Sequence, residues 1–495
     1  MKNWFKKGAA IAVATSLLAG CSFGGNEEEP AAPQALKVMY HNEDGFYRDY
    51  GMLFSTAYPE IEISVVSTGN LYRGNSGEDG EEFDYEKAKQ ELIEKEKPDI
   101  LMLNSSEYET MAQEGKFIDL EPFIAKDKFD TSGIVPGLID FMKEIGGGQL
   151  YGLPSGFNSQ VLFYNKGLFD KFNIPYPTDS MTWNEVIQLA RQFPTDGEKD
   201  ERIYGLKAGY SGSLNELSQM IAGSEGLSYV NPATKTMTIN SAGWKNAVQT
   251  AHDAIKSDAL YFESRNHMSY SGRNEYLLNN PFTGNRIAMS LDYSYLIREL
   301  KEAANYYSNE EGKVAKDWDI VTIPVSPQMP DQSSGTWYSN IFAISKDAPN
   351  ADAAWKLISY ISGEEHARVK SKVAFNNGFP IHTKYIKDEE GRNFAAFYKL
   401  KPVKPAVNYI EMEKLPKQFG VIFYADMEEQ FKAIQDGHTS VDDALGLLQA
   451  KGEELLAQES MTDEEVNKLW EERNAEMMKK MQEAAGEAGE TVTIN

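Results

Sequence analysis

Short apolar runs alternate with amphipathic stretches along most of the chain. Residues 36–40 (LKVMY), 61–66 (IEISVV) and 99–103 (DILML) are brief and bounded by polar residues, the pattern of buried strands. Helix-like spacing fills 47–58 and 85–96 between and around them. A second series of apolar runs follows at 161–164 (VLFY), 286–290 (RIAMS), 318–323 (WDIVTI) and 341–345 (IFAIS). Three helix starts are marked by a hydroxyl residue with a glutamate three positions on: Thr182 with Glu185, Ser213 with Glu216, Thr462 with Glu465. At that spacing each partner satisfies a free backbone N–H of the other. Residues 70–86, rich in Gly and acidic side chains, read as an exposed loop, and from Val441 onward the pattern is helical and charged. Two strand–helix series predict an α/β fold with largely parallel sheets. At 495 residues the chain is too long for one ordinary core, which predicts two lobes.

The first residues follow a different pattern. Lys2, Lys6 and Lys7 precede a small, apolar stretch ending at Leu18, then Ala19, Gly20 and Cys21. This is the layout of an export signal. A spanning helix needs ~20 apolar residues, and this run is shorter. Cys21 is the single cysteine, so no internal disulfide is possible. The stretch LAGC resembles a bacterial lipobox, where cleavage leaves a lipidated cysteine at the new terminus. Residues 1–20 are then a lipoprotein signal peptide and Cys21 the lipid attachment point. Stable anchoring needs more than one acyl chain, which a diacylglyceryl group supplies. Residues 21–35, rich in Gly, Pro, Ala and Glu, read as a flexible tether.

A formal charge of -26 argues against nucleic acid and anionic lipid headgroups as partners. Aromatic residues make up 12% of the chain, enough to line a cleft as well as fill cores. Catalytic signatures are missing. GYSGS at 209–213 lacks the closing glycine of a nucleophile elbow, and there is no H-E-x-x-H or Walker A loop. The histidines at 41, 252, 267, 366, 382 and 438 have no metal-ligand spacing, and 195–205 is an acidic turn without the carboxylate order of an EF-hand. No catalytic residue, metal site or cofactor is expected. Carboxylates are abundant, so a surface glycosidase stays open as an alternative.

Four segments in order then resemble a known family. They are KPDILMLNSSEYETMAQEGKFIDLEPFI (97–124), YGLPSGFNSQVLFYNKGLFDKFNIPYPTDSMTWNEVIQLARQF (151–193), NRIAMSLDYSYL (285–296) and IFAISKDAPNADAAWKLISYISGEEHA (341–367). The chain resembles the family 1 extracellular solute-binding lipoproteins of bacterial carbohydrate ABC importers. It departs from them at Asn285, where a glycine–lysine pair is more usual, in the acidic loop at 71–86, and in the long helical C-terminal region. The resemblance implies an α/β, two-lobe periplasmic-binding-protein-like clamp of type II, with the ligand cleft between lobes. Lobe I would hold 36–154 and 337–378, and lobe II 155–336 and 379–495, the latter with a C-terminal helical extension. Crossings are expected near Leu153–Pro154, Trp337–Asn340 and Asn376–Pro380, with Pro154 and Gly378 as hinge ends. The implied function is capture of a sugar or oligosaccharide outside the cell and delivery to ABC transporter permease subunits. The protein would be held on the extracytoplasmic face of the cell membrane by its lipid alone. A sugar-binding sensor lipoprotein is the alternative within the same resemblance.

Sugars present apolar C–H faces and hydroxyl edges, so aromatic platforms with Asn, Asp or Glu beside them are the expected partners. In α/β sheets such residues stand just past strand ends. That selects Tyr40, His41 and Asn42, then Asn104 and Ser105, then Phe157 and Asn158. It also selects Asp292 and Tyr293, and Trp337, Tyr338 and Asn340 in GTWYSN. Trp337 and Tyr293 are the expected platforms, with Asp292 and Asn340 as hydroxyl partners. Trp183 and Trp355 lie on amphipathic stretches and are expected in cores.

Overall fold

Nearly every apolar run becomes a strand, and the strands form two separate five-stranded sheets. The computed structural model describes residues 34–69, 71, 85–197, 202–209, 211–262, 277–278, 280–372, 378–388, 390–406 and 409–487. The expected signal peptide, Cys21 and all but the last residues of the expected tether lie outside the described residues. The strands are β1 (Gln34–Tyr40), β2 (Ile61–Ser67), β3 (Ile100–Leu103), β4 (Gly152–Ser159), β5 (Val161–Asn165), β6 (Tyr204–Lys207), β7 (Val230–Asn231), β8 (Thr236–Met237), β9 (Leu260–Tyr261), β10 (Ile287–Asp292), β11 (Trp318–Thr322), β12 (Gln332–Ser333), β13 (Thr336–Ile344) and β14 (Lys401–Pro402).

The first sheet has the order β2-β1-β3-β13-β4 and the second β11-β5-β10-β6-β9. β1 runs parallel to β2 and β3, whereas β13 is antiparallel to β3 and β4. In the second sheet β5 is antiparallel to both β10 and β11, while β6 is parallel to β10 and β9. The sheets are thus mixed rather than largely parallel. β4, β5 and β13 are the reason, since they carry the chain from one sheet to the other.

β4 escapes the hydrophobic pattern because its sequence is GLPSGFNS, yet it is buried almost throughout. Pro154 fits there because β4 is an edge strand, where a missing N–H breaks no central ladder. The strand runs through 154 to Ser159, so the passage to the second sheet falls at Gln160 and not at Leu153–Pro154. The return passage falls at Gly335–Thr336, a little before the expected Trp337–Asn340, which already lies within β13. The third comes later than Asn376–Pro380. Phe379 bridges Phe157, Val135 N–H donates to Ile381 O, and His382 bridges Ile134, all on the first lobe. Among the described residues, Asp388 then pairs with Lys301, and Arg392 and Asn393 bond to Trp318 and Asp319 of the second sheet. Gly378 does stand at a turning point: its φ is +81°, and a Cβ there would lie 2.4 Å from Phe157 O.

One core packs around the first sheet with Leu36, Ile100, Phe342 and Trp355, and another around the second with Leu162, Trp183, Leu206 and Trp244. Trp183 and Trp355 are buried, as their helical positions predict. Phe157, expected at the cleft, is fully buried instead. Its ring lies 5.8 Å from Phe379, which lies 4.6 Å from Phe397, which in turn lies 6.4 Å from Phe163 of β5. These rings join the two lobes without a break.

Both halves of the capping box form at Thr182/Glu185 and at Thr462/Glu465. At Ser213 only one half forms, because the Glu216 carboxylate is taken by Ser211. The helices Gln418–Gln435 and Val441–Leu456 bury Phe419, Phe423, Phe431, Leu445 and Leu448 in the second core. The helix Asp463–Glu487 follows, and among the described residues no helix is long and apolar enough to cross a membrane.

Candidate functional site

β13 pairs with β4 so that Trp337 stands opposite Asn158 and Tyr338 opposite Phe157. Successive side chains on a strand face opposite ways, which separates the two neighbouring aromatics. Trp337 is 49% exposed, while Tyr338 is buried against Phe141 and Phe157. The Tyr338 hydroxyl has no hydrogen-bond partner among the described residues, and burial pushes its pKa up. Tyr338 is therefore a packing residue of lobe I and not a ligand contact.

Tyr293 follows directly on β10, at the C-terminal end of the central strand of the other sheet. Its ring meets that of Trp337 with centroids 6.5 Å apart and planes at 80°. Beside them lies a cavity of about 340 Å³ lined by Tyr293, Gln160, Gly335, Trp183, Tyr229 and Trp244 among others. No charged side chain lines it among the described residues. At Gly335 a Cβ would lie 2.8 Å from the tip of the Ile323 side chain, so a larger residue there would push Ile323 aside. Trp244 is held by donating its indole N–H to Ser228 O at 2.9 Å.

Asp292 precedes Tyr293 but turns inward. It is 4% exposed, accepts from Tyr293 N–H at 2.9 Å and from Tyr295, and faces Lys207. Burial raises its pKa despite these partners. The carboxylate is occupied within the lobe, which corrects its expected role as a hydroxyl partner.

The remaining expected residues divide in the same way. Tyr40 is buried, its ring against Phe46 and Tyr50 and its hydroxyl donating to Asp49 at 3.0 Å. It too is a core residue. Asn42 and Asn104 do stand at strand ends, exposed, but each is a helix N-cap. Asn42 Oδ1 accepts from Gly45 N–H, and Asn104 Oδ1 accepts from Glu107 N–H, with the Glu107 carboxylate returning to Asn104 N–H. His41 is exposed beside Tyr40, and Ser105 opens the helix Ser105–Gln113 half-buried. Asn158 is half-buried next to Gly378. Asn340, at φ +54°, directs its amide to the Tyr50 hydroxyl at 3.5 Å, and Tyr50 donates to Ser155 Oγ at 2.9 Å.

Close by, His366 is buried between the Tyr50 and Tyr360 rings, with Nε2 3.3 Å from Asp49 O. Burial, reinforced by Lys370, pushes its pKa down from 6.5 to about 4. Gln160, Tyr229 and Trp244 were not anticipated as lining residues. The signal available for Gln160 was its place as the single residue between the two strands β4 and β5.

The sequence profile of the bacterial extracellular solute-binding proteins matches residues 41–368. Among solved structures, the sugar-binding protein MalE from Xanthomonas citri superposes with a TM-score of 0.60 at 19% identity, over 86% of this chain and 98% of that one. A family 1 extracellular solute-binding protein from Alicyclobacillus acidocaldarius gives 0.59 at 14% identity, over 87% and 100%. An ABC substrate-binding protein from Listeria monocytogenes, in complex with cycloalternan, gives 0.51 at 19%, over 85% and 98%. By sequence, the sn-glycerol-3-phosphate-binding periplasmic protein UgpB of Rhizobium meliloti (strain 1021) is 30% identical over 89 residues. That stretch is 18% of this chain and 20% of that protein's length.

Proposed function

Because the chain belongs to the bacterial extracellular solute-binding proteins and has their two-lobed α/β fold, we propose that it captures a sugar or oligosaccharide between its lobes and hands it to an ABC permease. The observation that supports this reading is the Trp337–Tyr293 pair, one ring from each sheet, beside a neutral cavity. A sugar ring laid on an aromatic face buries apolar C–H surface, worth ~25 cal/mol per Å². The amides of Gln160 and Asn158 are the nearby groups suited to hydroxyls. Lobe closure would turn on the strands through Gln160 and Gly335. No chemical step is assigned to the protein. It binds, closes and releases. The partial relative binds sn-glycerol 3-phosphate by name, but a phosphate calls for cations, and the cavity lining contains none among the described residues.

Calorimetric titration with a panel of neutral mono- and oligosaccharides, and with sn-glycerol 3-phosphate, tests the reading. A neutral sugar should bind, and small-angle scattering should show a smaller radius of gyration at saturation. Binding of the phosphate ester alone, or an unchanged radius with a saturating sugar, would overturn it.

Lipid anchoring through Cys21 belongs to the same proposal, motivated by the lone cysteine after LLAG and the tether behind it. Cys21→Ser should release the protein to the medium or leave it as uncleaved precursor. A processed variant that stayed on the membrane would refute the anchor.

A further inference from the structure

A second and larger concavity, a trough of about 1050 Å³, shares no lining residue with the cavity at Tyr293. It lies between the start of the helix Leu214–Ser224 and the two helices Gln418–Gln435 and Asp463–Glu487. Most of its lining comes from residues C-terminal to the stretch that matches the family profile. Gly420 leaves part of the lining open: nothing stands within 4 Å of where its Cβ would be.

Tyr424 and Trp470 both line the trough, 51% and 58% exposed. Aromatic side chains normally bury most of their large surface, so two half-exposed rings on one trough mark a place where a flat apolar face can settle. Five of the six charged side chains along it are already used within the protein, and the sixth, Glu429, is exposed. Arg473 donates to Ile422 O at 3.3 Å and lies 3.5 Å from Asp426. Lys432 pairs with Asp436 at 2.8 Å, Lys417 with Asp463 at 2.5 Å, and Glu428 accepts from Asn215 at 2.6 Å. Among the described residues an occupant therefore meets no unpaired cation and a single unpaired carboxylate, which with the chain's -26 disfavours a polyanion. A protein partner also fits poorly, because the centres of protein interfaces are depleted of charged residues, and here Lys417, Asp426, Glu428, Glu429, Lys432 and Arg473 share the lining. Small-molecule pockets hold roughly 300–1,000 Å³, so this open trough is at the upper limit for a compact ligand and suits an extended one.

We propose that the trough holds a stretch of an uncharged polysaccharide, with Trp470 and Tyr424 under its ring faces and Asn474 and Ser211 at its hydroxyl edges. This is a second carbohydrate contact, separate from the cleft. It would keep polymer close to the protein while the cleft takes up shorter pieces.

Affinity electrophoresis of the full chain through gels containing amylopectin, xyloglucan, mixed-linkage β-glucan or galactomannan tests it. At least one polymer should retard the protein. Trp470→Ala and Tyr424→Ala should each weaken that retardation about tenfold, Trp470→Phe should keep most of it, and Trp337→Ala should leave it intact. Calorimetric affinity for a small sugar should be the same in the Trp470 and Tyr424 variants as in the wild type, which also shows that they fold. No retardation by any polymer overturns the proposal, as does retardation insensitive to both trough substitutions or lost only with Trp337. A dimer in sedimentation velocity that Trp470→Ala dissolves would assign the trough to a second copy and overturn it equally.

Discussion

Trp337 and Tyr293 meet edge to face at 6.5 Å although one stands on the first sheet and the other at the end of a strand of the second. The contact bridges the two lobes, so any change in lobe angle changes it. If this pair receives the sugar, Trp337→Ala and Tyr293→Ala should each weaken affinity by about ten- to a hundredfold, or ~1.4–2.8 kcal/mol. Trp337 is 49% exposed, so its loss should cost under about 1 kcal/mol of stability. Trp244→Ala, at a 2% exposed position, should cost about 3–5 kcal/mol. Calorimetry and urea unfolding read the two effects separately. Equal destabilisation by the Trp337 and Trp244 substitutions would make Trp337 a packing residue.

The inward turn of Asp292 gives an opposite expectation for its neighbour in sequence. Asp292→Asn should change sugar affinity by less than about threefold, because the carboxylate already serves Tyr293 N–H and Tyr295. Burial raises this carboxyl above its ordinary 3.8. Over the window above that value the folded chain holds a proton that the unfolded chain has released, so stability falls as pH rises. The substituted chain lacks this loss. Denaturant unfolding of both chains from acid to neutral pH should show the wild type losing stability relative to the variant, and a constant difference would contradict it.

Tyr338→Phe removes a buried hydroxyl that has no partner among the described residues. Since a buried unsatisfied group costs free energy, the variant should be as stable as the wild type or up to about 1 kcal/mol more stable, with sugar binding retained. A clear loss of stability in thermal unfolding would mean that the hydroxyl is bonded after all.

His366 should make the fold acid-sensitive. Its pKa moves from 6.5 to about 4 on folding. Within that interval the unfolded chain takes up a proton that the folded one refuses. The stability contribution is complete above 6.5 and drains away as pH falls, by up to about 3 kcal/mol at ~1.4 kcal/mol per unit. His366→Gln should flatten that part of the pH profile in urea unfolding. A slope that persists unchanged in the variant would place the acid sensitivity elsewhere.

Strands with apolar runs were legible in the sequence: β1, β2, β3, β5, β10 and β11 lie within a few residues of LKVMY, IEISVV, DILML, VLFY, RIAMS and WDIVTI. β4 was not, because burial at Gly152, Pro154, Ser155 and Gly156 comes from neighbouring layers and leaves no apolar signature. The extension of β13 back to Thr336 was hidden in the same way by the polar GTWYSN. Proximity to strand ends selected Trp337 and Tyr293 but gave no direction for the side chains. Tyr40, Asp292 and Tyr338 satisfied the same rule and point into the protein. The crossings were displaced because torsional cues such as Pro154 report what a backbone tolerates, while the ladder partner decides where a strand stops.

The row of rings from Phe157 through Phe379 and Phe397 to Phe163 bears on how the molecule melts. A joint between two bodies is ordinarily the weakest seam, and heat would be expected to part them there first. Here Phe157, Phe163, Phe379 and Phe397 are each no more than 1% exposed, and opening the seam would wet all four at once. Neither half can come apart while leaving the other with a finished surface. Scanning calorimetry of the unliganded protein should therefore give a single endotherm, and Phe379→Ala should split it into two.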